Sequence, residues 1–508
     1  MGTAAARWVL LATVLGSSLV MLDSTVVNVA LPRLGEELDA DFAGLQWVVN
    51  GYTLTLAALI LLGGSLGDRY GRRRVFVIGV VWFALASALC GLAPTVELLT
   101  AGRALQGIGG ALLTPGSLAI IAASFDPEDR SRAVGAWSAL GGVAGAVGPF
   151  AGGFLVEWNW RAVFLVNVPL AVVVVLVAVR HVPESKDPAA SHTLDLPGSA
   201  LAAAGLGLLT YGLIASSVWI SAAGVAVLGG FVAWQRHTAH PLVPLDLFGN
   251  RRFTAINVVT FAVYAAIGVF FFLLVLNLQV VAGFAPVPAG AAVLPVTVLM
   301  LLLSARVGAL SDRVGPRVLL SAGLLVAAFA VVLASRIGAG ATYLGSVLPA
   351  VVLFGLGLSL VVAPLTATVL NSVSGGHAGV ASGVNNAVAR AAGLLAVAVV
   401  PVAAGISGDD YTQPSSFAAG FRTAMLISAA LLTLGAGLAW ALLRQPAAVP
   451  ASLPPADPVG AAGSGEPAGP AREPAPVGVA PSGEGGTEPL DVSRCIHCGV
   501  TAPQLHPR

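Results

Sequence analysis

Long apolar runs separated by short polar ones set the pattern of this chain, and their lengths convert into helices. A membrane-crossing helix needs about 20 apolar residues. Single crossings are expected at Trp8 to Pro32, Phe42 to Gly67, Val75 to Val96, Ala104 to Phe125, Ala133 to Val156 and Ala162 to Val179. Leu196 to Gln235, Phe253 to Ala305 and Ile337 to Ala389 carry no Asp, Glu, Lys or Arg over 40, 53 and 53 residues, so each must fold back on itself. Turn formers mark the reversals at Ser216-Ser217, at Gly283 to Pro286 with Pro288, and at Ser374-Gly375-Gly376 before His377. Val318 to Ser335 and Thr423 to Leu443 add single spans, and the helix after His377 continues through Arg390 to about Gly405. The pattern predicts an all-α polytopic membrane protein with fourteen transmembrane helices.

Composition agrees: of 508 residues 57% are hydrophobic and 10% charged, where globular proteins carry about 25% charged residues. A soluble fold is excluded, and a net charge of +1 supplies no basic stripe for nucleic acid. The first apolar run is longer than a signal-peptide core and is read as a retained helix. Loop charge tests the count, because cytoplasmic loops collect Lys and Arg. One side gathers Arg7, Arg69, Arg72 to Arg74, Arg130, Arg132, Arg180, Lys186, Arg236, Arg251, Arg252, Arg306, Arg313, Arg317 and Arg444; the other holds Arg33, Arg161, Arg336 and Arg422 among acidic residues. Both termini are expected in the cytoplasm, in a cell-membrane protein. Residues 445–508 hold 13 of the 32 prolines and read as a disordered tail. Its Cys495 and Cys498, with His506, make half a zinc site at most, since no second cysteine pair exists.

Gly64 to Arg73 (GSLGDRYGRR) recurs as Gly308 to Arg317 (GALSDRVGPR), eight spans later. An even displacement gives both copies one orientation. Two parallel six-helix halves, residues 1–180 and 253–444, with an inserted helix pair in 181–252, account for fourteen spans, and such repeats are how secondary transporters build a site between rocking halves.

The Gly64 to Arg73 loop resembles the signature of the major facilitator superfamily. Leu22 to Pro32 (LDSTVVNVALP), Arg103 to Gly110 (RALQGIGG) and Gly145 to Gly153 (GAVGPFAGG) narrow the resemblance to its fourteen-helix drug:proton antiporter family, over about residues 8 to 444. The resemblance implies multidrug efflux driven by the proton gradient, with no cofactor.

Asp23 is the carboxylate that lies well inside a predicted span, and an intramembrane ionisable group is a functional suspect by default. It is either a proton carrier or a structural acid that caps a helix break or pairs permanently with Arg. Arg103 lies at a similar depth, about 6 Å different at 1.5 Å per residue, and a guanidinium that approaches Asp23 in one conformation and leaves it in another would switch its proton affinity. Arg390 is placed near the midplane, either contacting substrate or balancing Asp23. Asp68, Arg69, Gly71, Arg72 and Arg73, with Asp312 and Arg313 in the second copy, are expected to gate one end. Gly145, Gly148, Pro149, Gly152 and Gly153 allow close helix approach. Asn28, Gln106, Tyr264, Asn277, Gln279, Asn386 and Arg390 are candidate cavity residues, with Trp47, Asn50 and Tyr52 beside them.

No P-loop appears, so nucleotide drive is not expected, and no nucleophile or acid-base pair suggests catalysis. The partners expected are the bilayer, protons and an amphipathic small molecule, with the protein monomeric. The alternatives are a dedicated exporter of one metabolite and a non-transporting sensor.

Overall fold

The computed structural model describes residues 4–187, 194–373, 378–408 and 413–443. Among them, fourteen helical segments are long and apolar enough to cross a membrane. The first six crossings are α1 (Ala4–Leu38), α2 (Phe42–Tyr70), α3 (Arg72–Gly91), α4 (Val96–Ser124), α5 (Pro127–Trp158), and α6 (Ala162–Leu165) with α7 (Asn167–His181). Then come α8 (Leu196–Ile214) and α9 (Val218–His237). The last six are α10 (Arg251–Val280), α11 (Pro286–Ala291) with α12 (Leu294–Val314), α13 (Pro316–Ala334), α14 (Leu348–Asn371), α15 (Ala378–Ala403) and α16 (Pro414–Leu442).

Local chemistry sets the helix starts. The side chains of Asp41, Thr95 and Asn250 accept from first-turn amides of α2, α4 and α10, and proline opens α5, α11, α13 and α16, where its missing N–H costs nothing. Two expected reversals occur in place, with Ser216 at φ 51° and Gly283 at φ 73°. The third, at Ser374 to His377, falls outside the described residues. Three boundaries differ from expectation. Ion pairs from Arg33 to Glu36 and Glu37 carry α1 past its apolar run. Thr95 caps α4 eight residues before Arg103, which therefore lies within the helix. Finally, α16 begins at Pro414, because Phe417, Gly420 and Phe421 are buried on the far side of Arg422.

The first six crossings pack among themselves, as do the last six. The α8 helix lies against α2 and α15, while α9 packs on α8 and buries little beyond Gly224 and Gln235. That hairpin is pinned by Asp195, whose carboxylate accepts from Gly198 N (2.8 Å), Trp234 Nε1 (2.7 Å) and Gln235 Nε2 (2.6 Å). Burial opposes the charge on Asp195, but hydrogen bonds from Trp234, Gln235 and nearby backbone outweigh it and hold the carboxyl below its ordinary value. A depressed acid contributes stability that is complete above its unfolded value, near 3.8, and is lost as pH falls through the lower folded value. Asp195→Ala should therefore raise amide exchange in the first turn of α8 at pH 7, by the equivalent of about 1 kcal/mol. The same comparison below pH 3 should show a smaller difference; an equal difference at both pH values would contradict the assignment.

All the spanning helices share two ends. The basic end carries Arg72, Arg73, Arg74, Arg180, Arg251 and Arg317, and the far end carries the α1–α2 and α10–α11 turns. Among the described residues, the hydrogen bonds that join the two halves lie at the far end: Phe42 N to Gly408 O (3.0 Å), Gln46 Nε2 to Val397 O (2.6 Å) and Gln279 Nε2 to Val29 O (3.0 Å). Phe42 also meets Phe272 and Phe417 there, with ring centroids 5.8 and 6.5 Å away.

Candidate functional site

Asp23, midway along α1, has no solvent exposure, and neither in effect does Arg103 of α4, at 1%. They form an ion pair of 2.5 Å between Asp23 Oδ2 and Arg103 Nη1. An unpaired charge in this position would be very costly, and a buried pair is tolerated only when its remaining lone pairs and protons are also satisfied. Here they largely are. Asp23 Oδ1 accepts from Gln106 Nε2 (2.7 Å) and Asn167 Nδ2 (3.1 Å), Arg103 Nε donates to Val48 O (3.0 Å), and Arg103 Nη1 also reaches Gln106 Oε1. Ser87 Oγ ties in from α3, accepting from Gln106 (2.7 Å) and Asn167 (3.4 Å). The guanidinium lies over the Tyr52 ring at 4.3 Å, so α2 covers its face. Five helices thus contribute to the network around this one buried carboxylate.

Two members of this network were not singled out in the sequence. Asn167 sits where α6 breaks into α7, and Ser87 is buried in α3. The signal for Asn167 was present, as an amide within the apolar run from Ala162 to Val179. Gln106 belongs to this network rather than to an open cavity.

The Gly145 to Gly153 segment of α5 links α1 to the other half. A Cβ at Gly148 would collide with Thr25, two residues from Asp23, and one at Gly152 would crowd Val26. One residue on from each, the backbone of Gly153 approaches Val287, and Gly290 of α11 lies so close to the Pro149 carbonyl that no Cβ fits. Toward the basic end the picture reverses, since a Cβ at Gly142, Gly145 or Gly308 would meet nothing within 4 Å. In this structure the described hydrogen bonds between the halves lie at the far end, and toward the basic end these three glycines meet no neighbour.

At the basic end Gly71 turns the chain between α2 and α3 at φ 119°, and Gly315 does so in the second copy at φ 89°. Asp68 pairs with Arg72 (2.8 Å), one turn away. Glu184, unremarked in the sequence, accepts from the first-turn amides of Arg73 (3.0 Å) and Arg74 (3.1 Å), a carboxylate at the positive end of α3. Arg69 stacks on Tyr70, and Gly64 lies beside Pro115. In the second copy Arg313 is exposed and Arg317 lies over Trp440 at 4.0 Å. The Asp312 side chain lies outside the described residues, as do Cys495 and Cys498.

The remaining candidates divide. Asn277 is fully buried and donates to Ile337 O (3.0 Å), so it braces the second half and lines no cavity here. Gln279 spans the halves at the far end, as given above. Asn28 is half-buried, and its Oδ1 has no partner. Asn386 is exposed in the body of α15, Arg390 one turn on is half-buried, and so is Tyr264 of α10.

Residues 13–397 match the family model described as Major Facilitator Superfamily. The chain is 36% identical over 417 residues to the "Probable actinorhodin transporter" of Streptomyces coelicolor, covering 78% of this chain and 72% of that protein. It is 35% identical to "Puromycin resistance protein pur8" of Streptomyces alboniger (86% and 91% covered) and 37% identical to "Cephamycin export protein CmcT" of Amycolatopsis lactamdurans (79% and 86%). In fold it is similar to a bacterial homolog of the human lysosomal transporter Spinster, at TM-score 0.62 and 19% identity, over 87% of this chain and 97% of that one.

Proposed function

The chain belongs to the major facilitator superfamily, and we propose that it is a proton-coupled antiporter exporting amphipathic small molecules, drugs and antibiotics among them, by alternating access. The observation that carries the reading is the sealed Asp23–Arg103 pair, joined through Thr25 and Val26 to the α5 segment that clamps the other half. A carboxylate loses affinity for its proton as a cation approaches and regains it as the cation leaves. When α1 and α4 separate, Asp23 becomes both accessible and more basic, and takes up a proton from the acidic side. Neutral Asp23 no longer needs Arg103. The helices then rearrange, and return of the guanidinium expels the proton on the other side. Thr25 and Val26 transmit the shift in α1 to α5, and α5 to α11, so proton binding and the far-end seal change together.

The names of the relatives, which concern antibiotic export and resistance, support the substrate class. Three of them are named for a single compound, which favours a second reading, a dedicated exporter of one metabolite. By the positive-inside rule the basic end, with both chain termini, faces the cytoplasm of a cell-membrane protein. One chain supplies the whole pathway, so a monomer suffices, and the proton gradient drives it without nucleotide.

The test is proton movement in liposomes on addition of a panel of lipophilic dyes and antibiotics. Several compounds should each release protons against an imposed gradient. A single active compound would select the dedicated exporter, and substrate movement indifferent to the gradient would remove proton coupling.

A further inference from the structure

Asp23, Arg103 and Arg390 are charged groups deep within the bundle, and they are not equivalent. Asp23 and Arg103 neutralise each other. Arg390 stands twelve residues from the start of α15 and thirteen from its end, about 19 Å from either. Among the described residues it has no ion pair or hydrogen bond. It does not balance Asp23, whose oxygens are taken by Arg103, Gln106 and Asn167.

Its surroundings place it between the halves rather than toward lipid. Arg390 is within electrostatic reach of Tyr264 on α10 and Tyr52 on α2, one from each half. The α2 and α15 helices run side by side: Gln46 bonds to Val397, and Leu61 lies near Gly383. Arg390 therefore sits at the level of Tyr52 and Thr53. Asn50, on the Gln46 face of α2 and one turn closer to that level, is fully buried, and neither atom of its amide has a partner. The Tyr52 hydroxyl is unpartnered too. Buried amides and hydroxyls are normally satisfied, and an intramembrane charge normally has a partner. Here a lone cation and an unused amide occur at neighbouring levels where α2 of one half runs beside α15 of the other.

We propose that Arg390 is the subsite for a single negative charge on the substrate, a carboxylate or ionised phenol on an amphipathic aromatic skeleton, with the Asn50 amide as a polar group at a neighbouring level. The proposal names the substrate class of the export reading above and rests on it. A monoanion brings the deep charge of the bundle to zero, whereas a cation raises it to two. Exporting an anion against proton entry also moves charge in the direction that an inside-negative potential favours.

The probes are pyrenebutyrate, its methyl ester and pyrenebutylamine, which share a skeleton and differ in charge. Binding is read by fluorescence anisotropy with the full-length protein in nanodiscs, and exchange by proton release in liposomes. Wild type should bind the acid in preference to ester and amine. Arg390→Gln should weaken the acid about tenfold, a loss of one charge-assisted contact, and leave the ester unchanged; Arg390→Lys should recover part. Arg422→Gln, which removes an exposed arginine, should titrate as wild type. Absence of acid binding or of an acid preference in wild type would overturn the proposal, as would an equal loss of acid and ester in Arg390→Gln. Arg390-dependent binding of the acid without proton release would leave the subsite standing and remove the antiport reading. Proton release by the amine, with no preference for the acid, would do the reverse.

Discussion

Asp23→Asn should abolish substrate-driven proton movement, by about a hundredfold or more, the scale of losing a positioned proton-transfer group. The substitution is nearly isosteric, so Gln106 and Asn167 can still donate to a carbonyl at that position. What disappears is the charge. Arg103, 1% exposed, is then left without a counter-ion, and breaking one side of a buried pair costs about 3 to 5 kcal/mol. A loss of transport alone would not separate a carrier from a structural acid, but the double variant does. Asp23→Asn with Arg103→Gln removes both charges, and thermal unfolding in detergent should show most of the lost stability restored. If Asp23 carries the proton, exchange stays absent in that stable protein. Restored exchange alongside restored stability would mean that the pair only holds α1 to α4.

How much of this was legible in the sequence depends on the kind of information. The spans were legible because charge-free length is nearly a ruler in a membrane, where each backbone group must be satisfied within its own helix. Even the reversals at Ser216 and Gly283 could be placed, since turn formers interrupt the apolar runs there. The ends of α1 and α16 were not, because ion pairs and packing extend a helix beyond its apolar core, and neither is visible as hydropathy. At the site, Asp23 and Arg103 declared themselves by the cost of charge in an apolar run. Ser87 and Asn167 did not, because single small polar residues recur throughout such helices and acquire meaning from the neighbour that meets them. Glu184 lay in a polar linker, where one acid is indistinguishable from another until the chain returns to α3. Asn277 errs the other way: a polar residue in an apolar span looked like a cavity wall and is a brace.

Gly290→Val should reduce transport at least about tenfold and hold the far end open, because overpacking a tight backbone approach displaces the helices. Gly290 meets the Pro149 carbonyl with no room for a Cβ, so the valine pushes α11 from α5 where the halves are sealed. A cysteine reporter reads the consequence. Val29 is fully buried and its carbonyl accepts from Gln279, so Val29→Cys is shielded while that seal holds. Cys90 is buried, and Cys495 and Cys498 can be replaced by Ser to leave the reporter alone. With Gly290→Val, an impermeant maleimide on the far side should label Val29→Cys severalfold faster. Gly145→Val makes the opposite prediction on the facing helix, α5. Its added bulk meets empty space here, so the far end should stay closed and the reporter protected. Transport should nevertheless fail, because closing the basic end requires the space the valine occupies. Two valines on α5 and its partner thus arrest the cycle on opposite sides of one rearrangement. Equal labelling in both, or transport surviving in both, would show that this face is not where the halves alternate.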